Sequence, residues 1–137
     1  MAGIVFLDSG TQEFIALLAG DIAVERLFLA LLFNGEIYNY KTIRQALIEK
    51  GYQFATQTDS EVLIYGYQEY GTALLQKLRG MFSFVIWNKK EKTLFGARDF
   101  FGIKPLYYAQ MGETFLFGSE IKSFLPHPHF KKVLNTA

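Results

Sequence analysis

The order of patterns along this chain predicts an α+β domain whose strands are mostly antiparallel. Short apolar runs of strand length open the chain and fill its second half, at 3–7, 27–33, 81–87, 94–97 and 115–117. Two segments with helical spacing, near 40–50 and 58–71, sit together in the middle rather than alternating with strands. Between two of the apolar runs, Asn88-Lys89-Lys90-Glu91-Lys92 is a polar turn, which marks a hairpin. Helices grouped between runs of strands read as α+β, whereas regular alternation would read as α/β.

Each element has its own signal. Gly3 to Leu7 is a short apolar run and reads as a buried strand. Ser9 to Gly20 reads as a helix, because Phe14, Leu17 and Leu18 share a face and Gly20 can close it. Asp21 to Arg26 is polar enough for a connection, and Leu27 to Phe33 is a buried strand ending at Asn34-Gly35. From Tyr40 to Lys50, Ile43, Ala46 and Leu47 follow helical spacing, with Asn39 as N-cap and Gly51 at C′. Gly51 to Phe54 alternates as a short strand. Thr58-Asp59-Ser60-Glu61 fits a capping box before a helix carrying Val62, Tyr65 and Tyr67 and closed near Gly71. Leu74 to Leu78 continues as a short helix. Met81 to Trp87 and Leu94 to Ala97 form the hairpin, expected at the centre of a sheet. Lys104-Pro105 then turns into a strand at Tyr107-Tyr108, Phe115 to Phe117 is another, and Ser119 caps a short helix through Phe124.

Composition narrows the function classes. A length of 137 residues is that of one domain, and with 50% hydrophobic and 17% aromatic residues a core is not scarce. The 14 basic and 13 acidic residues are spread along the chain, so no basic footprint for nucleic acid is present. There is no cysteine, which excludes a disulfide framework and a thiolate metal site. His127 and His129 flank Pro128 with no carboxylate cluster beside them, a poor metal site and more simply a solvated tail. Phe14 to Phe33 is the one candidate membrane segment, and Asp21, Glu25 and Arg26 make it costly in a bilayer. No basic-apolar-small leader opens the chain, so a cytoplasmic protein away from membranes is the expectation.

Asn34 and Gly35 offer the first chemical hypothesis. Where a buried strand ends, the Asn carboxamide and the Gly backbone N–H are two adjacent neutral donors, and a glycine lets a substrate lie against the backbone. Two such donors suit a carbonyl oxygen that becomes charged as its carbon turns tetrahedral. Asn-Gly is also a common turn signal, and both readings stand at this point. Asp59 has a local reason as well, since an acid in the first helical turn meets the positive end of the helix dipole.

Wider motifs bear on that choice. Phe33-Asn34-Gly35-Glu36-Ile37-Tyr38-Asn39-Tyr40, Thr58-Asp59-Ser60-Glu61, Leu78-Arg79-Gly80-Met81-Phe82-Ser83-Phe84, Ala97-Arg98-Asp99 and Phe101-Gly102-Ile103-Lys104-Pro105-Leu106-Tyr107-Tyr108 occur in this order. The chain thereby resembles the glutaminase domain of glutamine-dependent asparagine synthetase, a class II glutamine amidotransferase with an N-terminal-nucleophile hydrolase fold. The resemblance is close from Phe33 to Leu125 and weak over Met1 to Val5. It implies a four-layer αββα sandwich, with residues 1–137 a single glutaminase domain and the ATP-dependent synthetase domain absent.

The same resemblance assigns roles. Asn34 and Gly35 would form the oxyanion hole, Asn34, Gly35, Glu36 and Asp59 would bind substrate, and the Asp59 carboxylate would pair with the α-ammonium of glutamine. Ala2 falls where the family has its nucleophilic cysteine, whose freed α-amine, titrating near about 7.7–8.0, serves as base. With alanine there and Met1 ahead of it, both catalytic groups are missing. The segment from Leu7 to Leu32 departs from the family pattern. It lacks a His-Arg-Gly-Pro-Asp motif, and Arg26-Leu27 is either a trace of the family's carboxylate-binding Arg-Leu pair or a solvated charge. Phe100 stands where the family has a second arginine.

L-glutamine and a synthetase domain or subunit are the implied partners, and a homodimer is compatible with the family. No nucleic acid, membrane, metal or cofactor is expected of this domain, ATP and Mg belonging to the synthetase domain. Two alternatives remain open: a nucleophile-free module that binds glutamine or a partner, and an amidotransferase for another acceptor such as a sugar phosphate or purine precursor. Arg79-Gly80-Met81-Phe82 and Gly102-Ile103-Lys104-Pro105 favour asparagine synthetase over the latter.

Overall fold

The computed structural model describes residues 4–8, 13–17, 22–26, 28–128 and 130–133, with side chains from 28 onward. Among these the chain runs β1 (Ile4–Asp8), β2 (Glu13–Leu17), β3 (Ile22–Arg26), β4 (Leu29–Ile37), α1 (Tyr40–Glu49), α2 (Asp59–Tyr70), β5 (Gly80–Asn88), β6 (Thr93–Arg98), β7 (Tyr107–Met111) and β8 (Thr114–Gly118). Short 3-10 turns follow at Gly71–Gln76 and Ile121–Phe124. The backbone divides into two compact units, Met1–Asp21 with Pro105–Ala137, and Ile22–Lys104. The first holds a sheet in the order β2-β1-β8-β7, the second a sheet in the order β3-β4-β5-β6. Every described strand pair is antiparallel, so the α+β expectation holds.

In the second unit, alternate residues of the central strands build the core. Leu29, Leu31, Phe33 and Ile37 of β4 and Phe82, Phe84 and Ile86 of β5 share one sheet face. Ile43 and Leu47 of α1 and Val62, Leu63, Ile64 and Tyr65 of α2 cover it. α2 buries every residue from Ser60 to Gly66, which its unbroken Val-Leu-Ile-Tyr run allows. At Gly66 a Cβ would lie 2.7 Å from a methyl of buried Leu74, which would have to shift to admit it. Burying one such aliphatic side chain stabilises the fold by about 1.5–3 kcal/mol.

The β4–β5 ladder continues over nine rungs, from Leu29 opposite Asn88 to Ile37 opposite Gly80. Near its end the ladder has no room for a side chain at two positions. A Cβ on Gly35 would sit 2.1 Å from the Met81 carbonyl oxygen, and one on Gly80 would sit 2.1 Å from that of Glu36. Both glycines also have positive φ, 133° at Gly35 and 157° at Gly80.

Asp99 ends the β5–β6 ladder by taking the place of a backbone acceptor. Its N–H donates to the Phe82 carbonyl (2.7 Å), and its Oδ2 accepts the Phe82 N–H (3.2 Å). The same carboxylate then accepts from the Ile103 and Lys104 N–H groups, at 2.9 and 3.0 Å. Arg98 closes the turn from outside, donating to the carbonyls of Lys104 and Gly102. Burial acts to raise the Asp99 pKa, but the N–H groups of Lys104, Ile103, Phe82 and Phe101 together hold it below the ordinary aspartate value.

Several expectations are corrected. The helix read over Ser9–Gly20 is strand in its described part, Glu13–Leu17, paired along its length with β1. The connection read over Asp21–Arg26 contains β3, and the strand read to Phe33 runs on to Ile37, so Asn34-Gly35 lies inside it rather than at a turn. Gly51–Phe54 is not strand. Tyr52 instead packs on Tyr65 at 5.3 Å, and Phe54 meets the same ring edge-on at 4.9 Å. The short helix expected at Leu74–Leu78 is a 3-10 turn ending at Gln76. The β5–β6 hairpin places β6 at a sheet edge, not the centre. Asn39 does not cap α1 with its side chain but bridges to the Lys77 carbonyl and the Arg79 N–H, at 2.8 and 2.9 Å. Ser119 makes no cap at the last 3-10 turn. Gly51 does close α1 as expected, at φ 97° with its N–H on the Ile48 carbonyl.

Two measurements test this scaffold. Gly80→Ala is expected to destabilise the protein by about 1–3 kcal/mol or more, read as a lower denaturation midpoint, because the new Cβ meets backbone that cannot yield. Asp99 is depressed in the folded state relative to about 3.9 when unfolded, so its contribution is complete above pH 4–5 and is lost as pH falls through the folded value. Asp99→Asn should therefore flatten the acid limb of a stability–pH curve below about pH 4. An unchanged acid limb would remove Asp99 from this role.

Candidate active site

The phase of the β4–β5 ladder decides which backbone groups of Asn34-Gly35-Glu36 face β5 and which face the β3 side. The Lys89 N–H donates to the Phe28 carbonyl at one end (2.8 Å), and the Tyr38 N–H to the Arg79 carbonyl at the other (2.7 Å). In an antiparallel ladder the residues that bond to a given neighbour alternate. Even-numbered β4 residues therefore turn their N–H and C=O toward β5, and odd-numbered ones turn away from it. Gly35 and Ile37 thus face the β3 side. The described part of β3 reaches only Ile22, opposite Phe33. Gly35 lies two rungs past that point, with its N–H directed at an edge that no described part of β3 covers.

Two residues further along this edge, the Ile37 N–H donates to Asp59 Oδ2 at 3.1 Å. The carboxylate of Asp59 and the N–H of Gly35 consequently share one edge of β4, about 6.7 Å apart along the strand. That is close to the reach of an extended glutamine side chain. Asp59 Oδ1 carries no hydrogen bond among the described residues. Asn34 projects on the sheet face away from the helices, opposite buried Ser83. It is half-buried, and its carboxamide likewise makes no hydrogen bond among the described residues. Glu36 projects on the same face as Asn34 and is exposed.

Asp59 is held by the start of α2. Thr58 has extended backbone, and its hydroxyl accepts the Glu61 N–H at 3.4 Å, as an N-cap should. The expected reciprocal bond from Glu61 to the Thr58 N–H is replaced. Glu61 reaches further back, to the N–H groups of Ala55 (2.9 Å) and Thr56 (2.7 Å).

The structure therefore brings Asn34, Gly35, Glu36 and Asp59 to one end of β4. Ala2 and His129 lie outside the described residues, as do Leu27 and the side chain of Arg26. Glycine at 35 has a second reason beyond the sequence reading, because the space a Cβ would need is filled by β5. Sequence reasoning missed the hold of Glu61 on residues 55–56, for which the signal was Thr56 two residues before the cap. It also missed an apolar cavity of about 630 Å³ beside the same strand end, lined by Tyr38, Leu78, Arg79, Phe82, Phe100 and Phe101 among others. No group of three or more metal-ligating side chains occurs among the described residues, and no helix there is long and apolar enough to cross a membrane.

Comparisons with known proteins identify the family. Residues 21–137 match the family model described as a glutamine amidotransferase domain. Glutamine-hydrolyzing asparagine synthetase 1 of Bacillus subtilis (strain 168) is 53% identical over 95 residues, 69% of this chain and 15% of the relative. Asparagine synthetase 3 of the same organism is 38% identical over 128 residues, 93% of this chain and 20% of the relative. Amidase chry2 of Gibberella zeae is 40% identical over 92 residues, covering 67% of this chain and 14% of its own. The chain spans about a fifth or less of the length of these relatives. Among solved structures, the glutamine phosphoribosylpyrophosphate amidotransferase of B. subtilis, complexed with ADP and GMP, superposes with a TM-score of 0.65 at 22% identity. It covers 90% of this chain and 36% of that one. That likeness shows the fold, the N-terminal-nucleophile hydrolase type expected from the motifs.

Amide hydrogen exchange checks the edge assignment. The N–H groups of Asn34 and Glu36, which face β5, should be protected, while that of Gly35 between them exchanges quickly. Asp59→Ala should expose the Ile37 N–H in the same way and cost about 1 kcal/mol of stability. Equal protection at all three of residues 34–36 would overturn the assignment of the free edge.

Proposed function

The chain belongs to the glutamine amidotransferase domain family and is homologous to the glutamine-hydrolysing domain of asparagine synthetases, and from that premise we propose that it binds L-glutamine along the edge of β4 that the described part of β3 leaves uncovered. The observation that carries this reading is the shared edge. The carboxylate of Asp59 and the N–H of Gly35 are spaced for the two ends of a glutamine, with the Asn34 carboxamide, unbonded among the described residues, beside the second. Asp59 pairs with the α-ammonium through Oδ1, which carries no hydrogen bond among the described residues. Asn34 and Gly35 donate to the carboxamide oxygen, and Glu36 contacts the substrate from the Asn34 face.

In a cysteine-bearing amidotransferase the thiolate attacks the carboxamide carbon and the oxygen takes the negative charge. The two neutral donors stabilise that charge where it forms, without reorganising. Ammonia leaves, and water releases glutamate from the thioester. The whole activity proposed is asparagine synthesis, in which this ammonia amidates aspartate in an ATP- and Mg-dependent synthetase portion, present as a linked domain or a separate subunit. Because the sequence contains no cysteine and has Ala2 at the expected nucleophile position, binding without thiol-dependent turnover is the behaviour proposed for the chain itself. That absence is the specific observation favouring a second reading, a glutamine-binding module without hydrolysis.

Kinetics separate these roles. The chain itself should release no ammonia from glutamine, and Ala2→Cys with Met1 removed should restore release, since the freed α-amine is the base. In that background Asn34→Ala should raise the barrier by roughly 2.7–4 kcal/mol with binding little changed, because its bond strengthens only as charge develops. Asp59→Asn should chiefly raise KM, because the α-ammonium is present before and during reaction. Unchanged kcat in the first variant would discard the oxyanion assignment, and unchanged KM in the second the ammonium assignment. If Ala2→Cys releases no ammonia although glutamine binds, the binding-module reading stands.

A further inference from the structure

We propose that Glu61 is a positioning residue that sets how strongly this site prefers a ligand bearing an α-amino group, by clamping the segment that delivers Asp59. The inference rests on the glutamine-binding reading and deepens it. Glu61 is only 2% exposed, a rare setting for a carboxylate in a helix's first turn. Its Oε1 accepts the Ala55 N–H at 2.9 Å. Its Oε2 accepts both the Thr56 N–H, at 2.7 Å, and the Thr56 hydroxyl, at 2.6 Å.

The threonines complete a ring. Thr56 gives its hydroxyl proton to Glu61, so the contact of 2.9 Å between Oγ1 of Thr56 and Oγ1 of Thr58 has Thr58 as donor. Thr58 Oγ1 in turn accepts the Glu61 N–H. The Thr58 N–H also points at Thr56 Oγ1, 3.3 Å away. Asp59 is the first helical residue, lying in sequence between two members of this ring. Residues 55–58 are exposed and form no helix or strand, so this ring is what fixes their path into α2.

An ionised carboxylate suits this place because it only accepts, and three donors converge on it. A carboxamide would turn an NH2 toward a backbone N–H, leaving two donors face to face. With the ring broken, the first turn of α2 loses its anchor and Asp59 loses the fixed placement that an ion pair with an ammonium requires. Affinity for the amide end of a ligand, which Asn34 and Gly35 contact from β4, is left as it was.

Calorimetric titration of the chain as it exists tests this. L-glutamine and 4-carbamoylbutanoate, the same molecule without the α-amine, are the two probes. The parent should prefer glutamine, and Glu61→Gln should reduce the ratio of the two affinities roughly tenfold. Thr56→Val is the milder second variant. It removes the hydroxyl link from an exposed position and should reduce the ratio in the same direction with the fold intact by circular dichroism. In an Asp59→Asn background, Glu61→Gln should change the ratio no further, because the two act as one unit. A ratio that survives both Glu61→Gln and Thr56→Val in folded protein overturns the proposal while leaving the glutamine reading in place, and so does full additivity with Asp59→Asn. A parent that binds the two probes equally overturns the Asp59 assignment, and the role of Glu61 with it.

Discussion

The pairing of β4 with β5 is the constraint from which the rest of the second unit follows. Nine consecutive rungs fix a single phase, and a slip of one residue would move every side chain to the opposite face. With the observed phase, Phe33, Ile37, Phe82 and Phe84 lie under the helices, and Asn34 and Ser83 lie on the other face. The same phase turns Gly35 and Ile37 toward the edge that the described part of β3 leaves uncovered. Gly35 and Gly80 are the residues that let the ladder continue, since each stands against a carbonyl of the facing strand. The placement of Asn34, Gly35 and Asp59 at one strand end then follows from this sheet geometry together with the hydrogen-bonded loop that leads into α2.

Three carboxylates do the work that backbone carbonyls would do in regular structure. Asp99 accepts the Phe82 N–H where β6 ends and carries the chain through a tight turn. Asp59 accepts the Ile37 N–H where the described β3 no longer runs alongside. Glu61 accepts the Ala55 and Thr56 N–H groups ahead of a helix. Phe82 and Ile37 are buried, so their N–H groups would otherwise be unpaired, at a cost of about 1–3 kcal/mol each. An ionised acid bonded to several backbone N–H groups is stable in such places because they compensate for the water it loses. Asp59 differs from the other two in keeping one oxygen unbonded among the described residues, which is the property a ligand-binding acid needs.

Much of this was written in local sequence. The helices at 40–49 and 59–70, the Thr58 cap, the Gly51 stop and the hairpin around Lys89-Lys90 follow from residue spacing, capping and turn chemistry acting within a few residues. The motif order also named the family and the residues Asn34, Gly35, Glu36 and Asp59. Where local signals were weak or ambiguous, the reading failed. Phe14, Leu17 and Leu18 fit a helix face, but a stretch that short carries either period, and pairing with β1 decided for strand. Asn34-Gly35 fits a turn until a partner strand continues past it.

The sequence by itself determined which residue types are available: two neutral donors in tandem, an acid at a helix start, and no thiol anywhere in the chain. Only the tertiary structure decided their relation. That Gly35 points its N–H at the same edge as the Asp59 carboxylate depends on the phase of a ladder between segments some fifty residues apart. That Glu61 holds residues 55 and 56 instead of its own cap depends on how the loop folds back over the start of α2. Hydrogen bonding between distant strands, and burial that leaves no water to satisfy a donor, are properties of the assembled chain and have no signature in the spacing of its residues.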